Sequence, residues 1–321
     1  MGPAEHAIRM KWSATAFYPP NGDVAAGRHV YVTCDNEVSI INTADHSVRT
    51  VHLNDPGKSI GAIVVSADSS KAWVSVPDPR WKSSIYIIDA QNATVASRLP
   101  LQDTPIPSGA TSLAVSGDGS TLYAVGIGKA GAAIVALDAA SGTVKSTRPM
   151  PKGYTGGELV FNPRLVISGS NLVLDDGTIV DIAVPSGAHA IFGSDSRGLA
   201  AFPDGKRICS PNGVVTVGTR AVERKPGCSA ISPDGALTYQ SGQQLRSEAG
   251  TAATNADFGA VVSWLGAAVG MAPDGKSLYT LGGSLSGAAV YTIERATHLT
   301  TDAIRVCEGP HLIGMEPLHA P

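Results

Sequence analysis

Seven positions along the 321-residue chain carry side chains able to do chemistry, and each leads into a short apolar run after an interval of about 40 residues. They are Lys58 (beside Ser59), Thr111, Tyr154 (with Glu158), Arg197, Cys228, Trp264 and His311. Brought round one opening, they would converge a cation, a hydroxyl, an acid, a second cation, a thiol, an indole and an imidazole. Such a rim suits a small polar or anionic ligand, or a protein partner. Glu158 and His311 would also supply a general acid and base, with Arg197 and Lys58 to hold a substrate. A further constellation is Asp78-Pro79-Arg80-Trp81-Lys82, an indole between two cations, which suits a loop that covers a pocket or meets a partner.

Other chemistry is excluded or left unsupported. No GxSxG nucleophile elbow occurs. The four cysteines, Cys34, Cys209, Cys228 and Cys307, contain no CxxC pair, so no structural zinc site is expected. They read either as buried thiols or, for Cys209 with Cys228, as a disulfide. His6, His29, His46, His52, His189, His298 and His319 have no metal-ligand spacing. The glycine-rich GIGKAG at 126–131 joins strand to strand rather than opening a helix, so it is no phosphate loop. No cofactor is expected. Net charge is −3 without a basic stripe, which argues against nucleic acid. No run reaches the roughly 20 apolar residues of a membrane helix; residues 258–272 come nearest and are broken by Ser263 and glycines. The first residues, MGPAEHAIRMKW, lack a signal peptide's apolar stretch, although the mature form of a secreted protein would read the same, so the compartment stays open.

The elements that must position these residues are strands. Residues 28–53 hold three apolar runs separated by polar turns, and Val30, Val32, Val38 and Ile40 alternate with Tyr31, Thr33, Ser39 and Ile41. That is the period of a strand with two faces. Versions of this meander recur behind tight turns such as Pro-Asp-Gly at 203–205, 233–235 and 273–275. There Pro fixes φ, Asp bonds its own backbone and Gly takes φ > 0. Seven hairpins of second and third strands follow: 30–33 with 38–41, 72–76 with 85–88, 122–125 with 134–137, 165–168 with 172–174 (or 179–182), 207–210 with 214–217, 237–240 with 244–246, and 278–281 with 289–293. A more polar fourth strand follows each, as at 95–101 and 144–150. The expected fold is all-β: a seven-bladed β-propeller of four-stranded antiparallel blades, one domain over 1–321. Strands near both termini, from 6–12, 14–18 and 309–317, would complete one blade and close the ring. The short interval between Asp204 and Asp234 leaves six or eight blades open. Residues 77–84 and 126–132 are insertions between second and third strands, which share one mouth with the segments leading into first strands.

Tyr31-Val32-Thr33-Cys34 resembles the motif that names the YVTN family of propellers, with Cys where the family has Asn. Residues 38–44 (VSIINTA), 85–94 (IYIIDAQNAT) and 134–143 (IVALDAASGT) are similar to that family's third strand and turn. The resemblance spans nearly the whole chain. It implies a propeller fold and leaves activity open, because such relatives include binding proteins, subunits of amine dehydrogenases and lactonase- or lyase-like enzymes. Three readings follow. The first is a non-catalytic propeller that binds a ligand or protein at its mouth. The second is a lyase, isomerase or lactonase using Glu158, His311, Arg197 and Lys58. The third is a subunit of a redox complex without cofactor residues of its own.

Overall fold

The computed structural model describes residues 29–34, 36–55, 60–66, 70–78, 80–150, 165–174, 178–182, 188–190, 199–210, 213–223, 230–231, 235, 238–240, 245–249, 252–256, 269–272, 275–284, 287–297 and 300–306. Every regular element among them is a β-strand, and the strands form seven antiparallel sheets. The first contains β1 (His29–Cys34), β2 (Glu37–Asn42) and β3 (Val48–His52). The second contains β4 (Ala62–Val65), β5 (Lys71–Val76), β6 (Ser84–Asp89) and β7 (Thr94–Pro100). The third contains β8 (Ala110–Val115), β9 (Thr121–Gly128), β10 (Gly131–Asp138) and β11 (Val144–Pro149). The fourth holds β12 (Leu165–Ser168), β13 (Asn171–Leu174), β14 (Thr178–Asp181) and β15 (Ala188–Ala190). The fifth holds β16 (Ala200–Ala201), β17 (Arg207–Ser210), β18 (Gly213–Thr216) and β19 (Ala221–Glu223). The sixth holds β20 (Ala230–Ile231), β21 (Thr238–Gln240), β22 (Leu245–Ala249) and β23 (Ala252–Ala256). The seventh holds β24 (Val269–Met271), β25 (Ser277–Ser284), β26 (Gly287–Glu294) and β27 (Thr300–Val306). No helix among the described residues is long and apolar enough to cross a membrane.

Within each sheet, strands pair in chain order, as short Asp- and Gly-containing turns require. The burial pattern explains the order. Inner strands such as β4 are buried at every position, because a sheet covers each of their faces. The last strands β7 and β11 are mostly exposed, and their composition is correspondingly polar.

The apolar core lies between sheets rather than within them. Ile40 and Tyr31 of the first sheet pack with Ile63, Val74 and Ile88 of the second. Trp73, Ile85 and Leu99 of the second pack with Leu113, Leu122 and Leu137 of the third. Leu165, Leu172 and Val180 continue the stack from the third sheet to the fourth, and Val173 with Ile208 and Val215 from the fourth to the fifth. Val30, Val32 and Ile41, on the other face of the first sheet, pack with Tyr279, Val290 and Ile304 of the seventh. The first sheet therefore has a neighbour on each face. Each such large buried side chain contributes about 1.5–3 kcal/mol of transfer free energy.

Polar clamps repeat along the same joints. The Arg49 guanidinium, on β3, donates to the carbonyls of Ala90 and Gln91 at 2.7 Å, in the turn after β6. Trp73 Nε1 donates to Ala139 O at 2.8 Å, in the turn after β10. Arg148, on β11, donates to Asp181 O and, at 2.6 Å, to Ile182 O after β14. At the joint of the seventh and first sheets, Asp302 of β27 meets His46 of the β2–β3 turn at 2.6 Å. Asp302 pairs across its sheet with Thr292 as Arg49 pairs with Ile40, two residues before the turn in each case.

Three expectations change or stay open. In the fourth repeat, residues 165–168 and 172–174 pair as expected, yet they are the first and second strands, not the second and third. Gly169 takes φ +58 in that turn, so a Ser-Gly-Ser hairpin does what Asp-Gly does elsewhere. Cys209 is fully buried but is disulfide-bonded, which corrects the buried-thiol reading at that position. Cys228, Cys307 and the terminal segments expected to complete a blade lie outside the described residues.

Candidate functional site

The antiparallel order sends alternate turns to opposite ends of each sheet. At one end lie the β4–β5, β6–β7, β8–β9 and β10–β11 turns. At the other lie the β5–β6 loop (77–83), the segment from β7 into β8 (101–109) and the β9–β10 hairpin (129–130). This second end is the side on which the sequence reading sets its mouth, and at the second and third sheets its three pieces meet.

Asp78, 6% exposed, anchors the first loop. Its N–H donates to Ser83 Oγ at 3.0 Å and to Ser108 O at 3.1 Å. Its carboxylate accepts the Arg80 N–H at 2.7 Å, and its carbonyl accepts the Trp81 N–H at 2.9 Å. Ser83 Oγ donates to Pro107 O at 2.8 Å, and the Ser108 hydroxyl donates to Ile127 O of β9. Ile106 is fully buried beneath. Glycine permits the closest approach: a Cβ on Gly128 would stand 1.9 Å from Pro105 O, and one on Gly126 2.3 Å from Gly109 O. The segment 101–109 is thereby wedged between the two loops.

Trp81 stands on this base with φ +65, a left-handed conformation uncommon for a bulky residue. Its side chain is held outward at 38% exposure, and Lys129 Nζ lies 5.3 Å from the ring centroid, a cation–π contact across the joint. Arg80, Lys82 and Lys129 are all exposed. Among the described residues none of the three is ion-paired. Asp103 is the exposed acid of the neighbouring segment.

A second polar group pins the mouth between the first and second sheets. The Tyr86 hydroxyl donates to Asp55 Oδ2, and Arg98 reaches the same oxygen at 3.6 Å while lying 5.5 Å over the Tyr86 ring. Arg98 Nε also donates to Ser84 Oγ at 2.8 Å. Burial, then the bond to Asp55, pushes the Tyr86 phenol up to about 12. A general acid or base works best with a pKa near the operating pH. Tyr86 is displaced away from that range, so this group fastens the segment leading into β4 and is unsuited to proton transfer.

The carboxylates held low sit at the opposite end. The Ser116 hydroxyl, then Ser120, hold Asp118 down to about 2. The Ser141 N–H and hydroxyl, then Lys145, hold Asp138 to about 2. Asp45, Asp89 and Asp204 are likewise lowered by turn hydroxyl and N–H groups. These acids order turns rather than face a ligand. Among the described residues, no group of three or more His, Cys, Asp or Glu is placed to hold a metal ion.

Of the residues expected at the rim, Lys58, Tyr154, Glu158, Arg197, Cys228, Trp264 and His311 lie outside the described residues. Thr111 is half-buried in a bulge of β8, where its hydroxyl donates to Val125 O at 3.2 Å. Arg80 and Trp81 are brought to the mouth. Lys129 joins them although nothing in its own glycine-rich segment marks it as part of a site. The signal available was that 77–84 and 126–132 are insertions at the same place in consecutive repeats.

No family model and no curated protein matches the sequence. Among solved structures the chain is similar to one in the crystal structure of the mitotic checkpoint complex, with a TM-score of 0.59 and 14% identity over 87% of this chain and 92% of that one. It is also similar to the β-propeller domain of Cps50 (Swd1) from Myceliophteria thermophila, with a TM-score of 0.55 and 14% identity over 78% of this chain and 87% of that one. At that identity the likeness speaks for the fold alone: the chain is a β-propeller.

Proposed function

We propose that this chain is a non-catalytic interaction scaffold: a seven-bladed propeller of YVTN type that binds a protein partner through its mouth. Closure of the ring is supported by the apolar cluster shared by the first and seventh sheets and by the His46–Asp302 contact between them. The single observation that carries the function is the rigid ridge at the mouth, where Trp81 is exposed over Lys129 on a hydrogen-bonded base. Exposed aromatics on rigid supports, beside cations, are what interface hot spots are made of. One of the solved structures the chain resembles, the mitotic checkpoint complex, is an assembly of proteins, which agrees with this reading.

The test uses the full chain as bait, identifies a retained protein and measures the purified pair by calorimetry. Trp81→Gly is expected to weaken the pair. If native mass spectrometry instead shows a small-molecule adduct that survives Trp81→Gly and is lost with Glu158→Gln or His311→Ala, the mouth is a ligand or substrate site and the scaffold reading fails.

A further inference from the structure

We infer that the Trp81–Lys129 ridge, flanked by Arg80 and Lys82, docks an acidic, extended segment of the partner protein; the inference rests on the scaffold reading and adds the partner's chemistry. Three observations carry it. The first is charge. In a chain of net charge −3, three exposed cations come together at one joint with no carboxylate paired to them among the described residues. Two acids lie in the same loops: Asp78 is buried and bonded to its own turn, and Asp103 is exposed. Three exposed cations against two carboxylates, one of them buried beneath the loop, leave a net positive surface, complementary to a run of Asp or Glu.

The second observation is shape. Among the described residues Trp81 is one of four exposed large apolar side chains, and the others, Val48, Val144 and Val222, stand on the last strands of three different sheets. Among the described residues the ridge is thus a single indole among charges rather than part of an apolar face. That fits a peptide with an apolar side chain set between carboxylates and disfavours a lipid surface, which needs a broad apolar or polybasic face. The third is preorganisation. The left-handed Trp81 backbone is held by the Asp78 turn, and its ring by Lys129, so little freedom remains to be lost on binding.

The experiment uses the full chain and an array of synthetic peptides, each with a central Leu, graded from Glu-rich through neutral to Lys-rich, read by fluorescence anisotropy. Vesicles of phosphatidylserine form a separate arm. Binding is expected to strengthen with Glu content and to weaken as salt is raised. Trp81→Gly, whose backbone tolerates φ +65, should weaken it by about tenfold or more without lowering the melting temperature. Arg80→Glu and Lys129→Glu should do the same. Equal binding of Glu-rich and Lys-rich peptides, no binding of the Glu-rich ones, or indifference to the charge reversals would overturn the inference. Vesicle binding lost in the same variants would assign the ridge to a membrane and overturn it too. The two readings fail separately. If a captured partner depends on Trp81 but the Glu-rich peptides do not bind, the scaffold stands and the acidic segment falls. If no capture depends on Trp81, both fall.

Discussion

Replacing Gly128 with alanine would drive a methyl group into the segment that seats the mouth. The added carbon would lie 1.9 Å from Pro105 O and 3.0 Å from Pro105 C, both backbone atoms. Carbon–oxygen contacts come no closer than about 3.3 Å, so either strand or segment must retreat by about 1.4 Å. The segment has little room to do so. It is fastened by Ser83 Oγ to Pro107 O at 2.8 Å, by the Asp78 N–H to Ser108 O at 3.1 Å and by the Ser108 hydroxyl to Ile127 O. Overpacking of this kind costs about 1–3 kcal/mol, and each hydrogen bond broken on retreat adds about 1 kcal/mol. A loss of about 2–4 kcal/mol is expected, read as a lowered midpoint in urea unfolding followed by circular dichroism. Two glycines provide the controls. Gly117 has nothing within 4 Å of an added Cβ, so Gly117→Ala should fall within about 0.5 kcal/mol of the parent. Gly131 has open space but φ +105, so Gly131→Ala isolates the backbone penalty, about 1 kcal/mol. The steric argument is refuted if Gly128→Ala unfolds at the same urea concentration as Gly117→Ala.

Three further outcomes are expected. Arg148→Met and Arg49→Met each strip turn carbonyls of their donors at a joint between sheets, so each should lower stability by about 1–3 kcal/mol by calorimetry; unchanged melting would remove the clamps from the account. Asp118 and Asp138 titrate lower in the folded chain than the usual 3.8, at about 2, so their contribution is present above pH 3.8 and lost as pH falls towards 2. The double variant Asp118→Asn, Asp138→Asn should flatten that part of the acid limb of a stability–pH curve, and an unaltered limb would contradict the assignment. In denaturant Cys209 should resist alkylation until a reductant is added, and reduction should lower stability by about 2–4 kcal/mol; a non-reducing peptide map then identifies its partner, and alkylation in denaturant without reductant would disprove the bond.

The strands and most of their pairings were legible because period-2 alternation and Asp-Gly turns are local signals. The hairpin of 30–33 with 38–41 could be read from the stretch 30–41 alone, and the structure pairs Val30 with Ile41 and Thr33 with Val38 as that hairpin requires. What could not be read there is that Val30 and Val32 pack towards the seventh sheet while Val38 and Ile40 pack towards the second. The fourth repeat was misread because its local signal differs: Gly169 and Ser170 make a hairpin without the Asp-Gly signature, so the strand before it was counted one place too far along. Arg80 and Trp81 were legible as an unusual loop, but Lys129 was not, because its partner lies 48 positions earlier, on the preceding sheet.

By itself the sequence determined what each stretch of chain is, since backbone preference and face alternation depend on neighbours along the chain. Only the tertiary structure decided what those stretches touch. Sheets stack through side chains from distant repeats, and the contacts that matter, Arg49 on Ala90, Asp302 on His46 and Lys129 on Trp81, arise where two sheets meet and have no signature in either segment alone.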